Sequence, residues 1–273
     1  MSVGALELGG SHVSACVVDV ETWRVANACR LPFDPNDARP ELLGAIRHAA
    51  GALTGVTRVG FAAPGPFDYE NGICMVRGLG KLEGLFGVDL AAALAPVLQL
   101  DRAWIRFLND AEAFLLGESV AGAARGHDRV VGLTLGTGLG SAFLADGEIV
   151  RSGEGVSPNG DLHVVPFRGA PVEDAISGRA ISARFDGRTG AAEIAARAGA
   201  GDPGAVAAFA SFGADLAEFL DPWVRAFRPT RVVVGGSIAR AWQHFGAALP
   251  PIATVAERLD DAALLGAAAY AVR

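Results

Sequence analysis

Residues 130–147 read Val-Val-Gly-Leu-Thr-Leu-Gly-Thr-Gly-Leu-Gly-Ser-Ala-Phe-Leu-Ala-Asp-Gly, and the chemistry they offer is that of an anion cradle. Gly136, Gly138 and Gly140 carry no Cβ, so a turn built from them lets backbone N–H groups approach a phosphate, and Thr137 adds a hydroxyl donor. A tight structural turn is the competing reading of the same glycines. The start of the chain echoes this stretch. Laid over Leu6–Asp19 without a gap, residues 133–146 put Leu133 and Leu135 on Leu6 and Leu8, Gly136 on Gly9, Ser141-Ala142 on Ser14-Ala15, and Asp146 on Asp19. The echo implies two copies of one strand–turn–strand unit. Two phosphate turns facing each other across a cleft would suit a nucleoside triphosphate.

Other residue types in this chain could do chemistry beside such a cradle. Glu7 lies in an apolar run just before Gly9-Gly10-Ser11-His12. A buried carboxylate needs a partner or a metal, whereas a Glu on an edge strand faces water at no cost. Asn109-Asp110 stands where a short strand meets a helix. The pair reads equally as an N-cap or as a carboxylate at a strand's C-terminal edge, placed to accept a proton from a substrate hydroxyl. Asp161 and His163 share a polar loop after the second glycine turn, and a third such turn, Gly235-Gly236-Ser237, ends the apolar run from Arg231. Pro64-Gly65-Pro66-Phe67-Asp68 is a stiff turn that fixes the Gly65 backbone.

The elements that must position these residues follow from periodicity and punctuation. Strands are expected at Val3–Leu8, Val13–Val18, Val56–Ala63, Trp104–Leu108, on both sides of the turn at Gly136, and at Arg231–Val234. Helices are expected at Glu41–Leu53, Leu90–Leu98 with a disturbance at Pro96, from Asn109 onward, and at Glu173–Ile181 and Ala191–Ala198. Further helices are expected at Ala205–Phe227 with a break near Asp221-Pro222, at Ile238–Phe245, and at Asp260–Val272. The 273 residues are 51% hydrophobic but only 7% aromatic, with 36 Gly, so the apolar content is mostly small side chains in an α/β pattern. A net charge of −7 argues against a nucleic-acid partner. No apolar run approaches the ~18 residues of a membrane span, and the start lacks the pattern of a signal peptide, so a cytoplasmic protein is expected. Cys16, Cys29 and Cys74 stand singly and read as reduced thiols.

In this order, the pieces resemble the ROK family of sugar kinases (repressors, open reading frames and kinases), within the actin/hexokinase-like superfamily. The resemblance runs over nearly the whole chain. Leu8-Gly9-Gly10-Ser11 resembles the family's first phosphate motif and Leu135-Gly136-Thr137-Gly138-Leu139-Gly140 the second. Ala63-Pro64-Gly65-Pro66-Phe67-Asp68 resembles the sugar-site turn, and Leu108-Asn109-Asp110-Ala111 with Leu116-Gly117-Glu118 the start of the catalytic helix. Val234-Gly235-Gly236 resembles the adenosine-side turn and Leu264-Leu265-Gly266-Ala267-Ala268 the closing helix.

The resemblance implies a duplicated, ribonuclease H-like fold in two domains with an interdomain cleft. The domains would be residues 1–108, onto which 260–273 pack back, and residues 109–259. It implies transfer of the γ-phosphoryl of ATP, with magnesium, to a sugar hydroxyl. Asp110 would be the base; Gly65, Asn109, Asp161, His163 and Glu173 would bind sugar. Gly9, Gly10, Ser11, His12, Gly136, Thr137, Gly138, Gly235 and Gly236 would bind the nucleotide, and Glu7 is the candidate magnesium residue, acting through water. Homodimers are common in the family.

The chain departs from the family pattern at three places. Glu7 stands where many members have Asp, though fructokinase-like members also have Glu there, and His12 stands where many have Lys. Gly160-Asp161-Leu162-His163 is one residue shorter than the family's Gly-Glu-x-Gly-His, with Asp for Glu. The cysteine-rich zinc knuckle that follows in glucokinases has no counterpart, since none of residues 162–172 is Cys, and no structural zinc is expected. Substrates weighed against glucose are therefore other hexoses, amino sugars and cyclitols, with polyphosphate as an alternative donor. A catalytically inactive sugar sensor is the reading from another class; the first phosphate strand begins at about Val3, which leaves no winged-helix extension to expect. A dinucleotide enzyme fits poorly, because Gly136-Thr137-Gly138-Leu139-Gly140 is not Gly-x-Gly-x-x-Gly and continues as strand.

Overall fold

The apolar runs at the N-terminus pair as an antiparallel meander, β1 (Ser2–Leu8), β2 (His12–Asp19) and β3 (Arg24–Pro32), in a computed structural model that describes residues 1–273. Helix α1 (Arg39–Gly51) crosses to β4 (Val59–Ala63), which lies parallel to β1. The short pair β5 (Phe67–Asp68) and β6 (Ile73–Cys74) follows. Helix α2 (Leu90–Leu98) is capped by Asp89, whose Oδ1 accepts from Ala92 N at 2.8 Å; Pro96 sits in its last turn without breaking it. Strand β7 (Ile105–Asn109) adds to β4 in parallel and runs directly into α3 (Asp110–Ala121). The sheet order is β3-β2-β1-β4-β7.

The second half repeats this plan. Strands β8 (Arg129–Leu135), β9 (Leu139–Ala145) and β10 (Glu148–Val150) form the meander. The hairpin β11 (Pro166–Phe167) and β12 (Ala170–Pro171) follows, then helices α4 (Gly178–Phe185), α5 (Ala191–Gly199) and α6 (Pro203–Phe227). Strand β13 (Arg231–Gly235) lies parallel to β8, and β14 (Ala253–Val255) parallel to β13. Its order, β10-β9-β8-β13-β14, matches the first sheet position for position and direction for direction. Helix α7 (Ala262–Ala271) closes the chain.

The duplication holds, but the gapless overlay does not follow it through the second strand. In the first hairpin Glu7 pairs with Ser14 and Ser2 with Asp19; in the second, Thr134 pairs with Gly140 and Arg129 with Ala145. The second turn is one residue shorter. Gly9 and Gly136 are therefore equivalent by register, whereas Ser14 and Ser141 are not.

The chain divides into residues 1–121 with 260–273, and residues 122–259. Helix α3 stays with the first unit, so the division falls after Ala121 and not after Leu108. The reason is packing: α3 lies against α7 so closely that a Cβ on Gly266 would sit 1.7 Å from the Ala113 carbonyl oxygen, and one on Gly117 1.9 Å from that of Ala262. Phe61, Leu6, Ile46 and Leu94 lie in the core of the first unit; Phe143, Phe209, Phe212 and Phe227 lie in that of the second.

Three expected helices differ. The segment from Glu173 is a 3₁₀ turn (172–174), and α4 starts afresh at Gly178, where the Ser177 hydroxyl accepts from Ala180 N. Residues 237–244 are 3₁₀ with a kink at Ala241, not α-helix. Helix α6 runs unbroken for 25 residues through Pro222, because Phe212, Leu216, Phe219, Leu220 and Phe227 keep one buried face along its whole length. Cys16 and Cys74 are buried free thiols and Cys29 is a partly exposed one. No helix is long and apolar enough to cross a membrane.

Candidate active site

In the first unit the chemistry gathers at the C-terminal ends of β1, β4 and β7. Strand β1 is central, so Glu7 is not on a solvated edge. Register puts Glu7 opposite Ser14 on β2, and Ser14 opposite Arg30 on β3, which lines up Arg30, Ser14 and Glu7 on one face of the sheet. Burial pushes the Glu7 carboxyl up to about 7; the Asp110 carboxylate nearby adds to the rise, and the Arg30 guanidinium opposes it. Two carboxylates thus share one small, partly dehydrated region. Gly9 N donates to His12 O at 2.8 Å, which closes the first turn with Gly10 and Ser11 at its tip.

Asn109 ends β7 and does the capping. Its Oδ1 accepts from Ala111 N at 2.8 Å and Glu112 N at 3.3 Å, while its Nδ2 donates to the Tyr69 hydroxyl at 3.2 Å. Tyr69 in turn donates to Ala63 O at 3.1 Å. Asp110, the first residue of α3, accepts from Ala111 N at 2.9 Å at the positive end of the helix. Asn109 thus does the capping, and Asp110 stands beside it at the C-terminal edge of β7. A Cβ on Gly65 would lie 3.5 Å from the same Tyr69 hydroxyl, so the turn at Gly65 and Asn109 meet there. Asp68 stiffens that turn by accepting from Asn71 N at 3.0 Å and Asn71 Nδ2 at 2.8 Å, bonds that hold its carboxyl below the usual range.

In the second unit the turn 136–138 is braced on several sides. Gly136 N donates to Gly138 O at 3.0 Å, and Gly178 N, opening α4, donates to Gly136 O at 2.8 Å. Glu173 Oε1 accepts from Leu139 N at 2.9 Å and would sit 2.3 Å from a Cβ on Gly138, so the glycine there makes room for the carboxylate. Gly235 pairs with Thr134, and Gly236, at φ +82°, lets its backbone come against Leu135, whose carbonyl oxygen would be 2.3 Å from a Cβ. Gly136, Thr137, Gly138, Gly235, Gly236 and Glu173 are thereby one cluster.

Asp161 and His163 belong to a loop pinned by Ser141. The Ser141 hydroxyl donates to Gly160 O at 2.6 Å and accepts from Leu162 N at 2.8 Å. His163 Nδ1 lies 3.9 Å from Asp161 Oδ1; burial raises the Asp161 carboxyl and His163 pulls it back. His163 itself is exposed, and the turn 162–164 lies beside 172–174, which carries Glu173. Between them, the β11–β12 hairpin is tethered through Arg168 to Asp215 at 2.8 Å and to Glu218, both on α6.

Sequence reasoning missed Tyr69, Ser141 and Arg30. Tyr69 follows Asp68 in a segment already marked as a stiff turn, and a hydroxyl there is a usable signal. Ser141 was noticed only as part of the repeat. Arg30 lies in a run with no motif, and only strand register reveals it.

A family model described as ROK family matches residues 3–273. The chain is similar to a glucokinase of Thermotoga maritima, 31% identical over 210 residues that cover 67% of this chain and 64% of that protein's length. It is similar to an N-acetyl-D-glucosamine kinase of Yersinia pseudotuberculosis, 28% identical over 260 residues, covering 85% of this chain and 83% of the other. Among solved structures, a ROK family glucokinase from Streptomyces griseus, in complex with glucose and AMPPNP, superposes with a TM-score of 0.76 at 26% identity over 99% of each chain. That structure carries the actin/hexokinase-like fold, and the two repeated sheets described above are its framework.

Proposed function

The chain belongs to the ROK family, and from that premise we propose that it is an ATP-dependent sugar kinase acting on a hydroxyl of a hexose or hexose derivative. The observation that carries this reading is the carboxylate pair. Asp110 and Glu7 are close enough for one to raise the pKa of the other, at strand ends that also carry the first glycine turn. Phosphoryl transfer asks little covalent work of a protein: it needs a carboxylate to receive the hydroxyl proton, positioned donors, and neutralised charge. Asp110 is the base, and Asn109, held by its own cap and by Tyr69, presents a fixed amide beside it. Gly65, Asp161, His163 and Glu173 complete the sugar ligands. The turns 9–12 and 136–138 hold the donor phosphates through backbone N–H groups, and Gly235-Gly236 takes the adenosine side.

The donor set fits magnesium. Two crowded carboxylates are oxygen ligands whose repulsion a divalent cation relieves, and magnesium commonly takes one or two carboxylates together with phosphate oxygens and water. Glu7 would hold it through water while Asp110 keeps the role of base, and when bound it neutralises charge on the transferring phosphoryl group.

The two relatives are named for glucose-type and N-acetylglucosamine phosphorylation, so the test spans both. ADP release is measured with Mg-ATP over hexoses, amino sugars, N-acetyl sugars and cyclitols, with Asp110→Asn as control. Turnover on a panel member, reduced roughly 10²–10⁴-fold in the control, is the expected result. Turnover only when polyphosphate replaces ATP would reassign the donor. Sugar binding with no turnover from either donor would replace the kinase by a sensor, and undiminished turnover in Asp110→Asn would remove Asp110 from the role of base.

A further inference from the structure

The first glycine turn is set among carboxylates. Glu7 lies on the sheet face that leads to it and Asp110 stands near Glu7, so a polyanionic donor arriving there meets like charge. The turn itself offers His12, and the geometry around His12 fixes its charge. Arg30 Nη2 lies 3.3 Å from His12 Nδ1. A guanidinium has only donors, so Nδ1 must accept, and the imidazole is neutral with its proton on Nε2. Burial and the Arg30 charge both hold the imidazolium below its ordinary range, in agreement with that tautomer. The ring is seated over Gly9, where a Cβ would lie 2.3 Å from its Cε1. His12 is a neutral strut.

The positive charge at this turn belongs to Arg30. It pairs with Ser14 in the strand register and points from the same face as Glu7, so it reaches the turn across β2. It is exposed on the outermost strand, and the bond to His12 engages one of its five N–H donors. Arg39, Arg102 and Arg106 of this unit donate instead to backbone carbonyls elsewhere, Arg39 to Gly84 and Phe86, Arg102 to Asn71, and Arg106 to Tyr270 and Arg273.

We infer that Arg30, steered by His12, binds the terminal phosphates of the phosphoryl donor at the turn 9–12. The inference rests on the kinase reading above and adds to it a residue that no glycine motif announces. The planar fork of the guanidinium suits two phosphate oxygens at once, which an imidazole cannot match. The ligand chemistry is a di- or triphosphate end, whether of a nucleotide or of an inorganic polyphosphate.

The test is calorimetric titration of the full-length protein with AMP, ATP and inorganic tripolyphosphate, comparing wild type with Arg30→Ala, Arg30→Lys and the double variant Arg30→Ala/His12→Lys. Arg30→Ala is expected to weaken ATP binding about tenfold and to leave AMP unchanged. Arg30→Lys and the double variant, which each return a cation to the turn, should recover much of the loss. In turnover, Arg30→Ala should raise KM for the donor and leave KM for the sugar where it was. A parallel loss of tripolyphosphate binding assigns the site to any polyphosphate end; loss for ATP alone assigns it to the nucleotide. Unchanged ATP and tripolyphosphate affinity in Arg30→Ala overturns the assignment, as does an equal loss for AMP and ATP. If the wild type binds neither ATP nor tripolyphosphate, the kinase reading fails and this inference with it, an outcome distinct from a wild type that binds and an Arg30→Ala that binds equally.

Discussion

Glu7 shows what it costs to bury one carboxylate beside another. Its carboxyl is pushed up to about 7 from an ordinary value near 4.5, first by burial and then by Asp110. Because the folded protein holds that proton more tightly than the unfolded chain, Glu7 takes nothing from stability below pH 4.5. Its penalty grows as pH rises from there to about 7 and is complete above it. Glu7→Gln removes the charge and keeps the shape. In the metal-free protein at pH 8 it should therefore raise the unfolding free energy by roughly 2–3 kcal/mol, and at pH 4.5 by close to nothing. Denaturant titrations of both proteins at the two pH values check this; a gain of equal size at both would mean that the proton is not the cause. The same residue marks the limit of what sequence could tell. An acidic residue in an apolar strand before a glycine turn was visible as an anomaly, but its neighbours were not. Asp110 is far along the chain and Arg30 lies two strands away, and they meet Glu7 only through the pairing of β1 with β2, β2 with β3, β1 with β4, and β4 with β7. Asn109-Asp110 was legible as a pair with two competing meanings, and the structure gives the capping to Asn109.

Among the elements, glycine is the residue whose role depends most on what stands opposite. Gly44 lies on the exposed side of α1, where an added Cβ meets nothing within 4 Å; Gly266 lies in α7, where it would meet the Ala113 backbone at 1.7 Å. The same substitution should then act in opposite directions. Gly44→Ala gains helix propensity without a clash and should stabilise by about 0.5–1 kcal/mol. Gly266→Ala has the same propensity gain but forces α7 away from α3, and should cost roughly 2 kcal/mol or more. Thermal unfolding of the two variants side by side measures both, and destabilisation by Gly44→Ala would show that the contact environment does not decide the sign. Sequence periodicity located most of these helices because their apolar stripes are local. It failed at 237–244, which follows the positive φ of Gly236 as 3₁₀, and at Ser177, whose cap restarts α4. It also placed a break at Pro222 that the buried face of α6 prevents.

For the whole molecule, the notable feature is that the first unit is completed by the last residues of the chain. The chain leaves that unit at Ala121 and returns at Asp260, and α7 then packs against β1, β4, β7 and α3. Gly60 on β4 approaches α7 so closely that a Cβ would meet the Ala267 carbonyl oxygen at 1.8 Å. The helix buries Leu264, Leu265, Ala267, Ala268, Ala269 and Ala271, so its removal uncovers one face of the first sheet and one side of α3 together. The second unit, residues 122–259, holds its own sheet and its own aromatic core of Phe143, Phe209, Phe212 and Phe227 and loses none of it. A chain ending at Leu259 should therefore lose structure in one unit only. Hydrogen exchange read by mass spectrometry should show protection gone from peptides of β1, β4, β7 and α3, and kept in β8, β9 and α6. Uniform loss would mean that the two units fold as one cooperative block, and uniform protection would mean that the first unit holds its sheet and α3 together without α7. In either of those cases the division after Ala121 would describe contacts without describing stability. The selective outcome would make the duplication seen in the two sheets a property of folding as well as of topology, with each copy stable through its own core and only the first dependent on a segment from the far end of the chain.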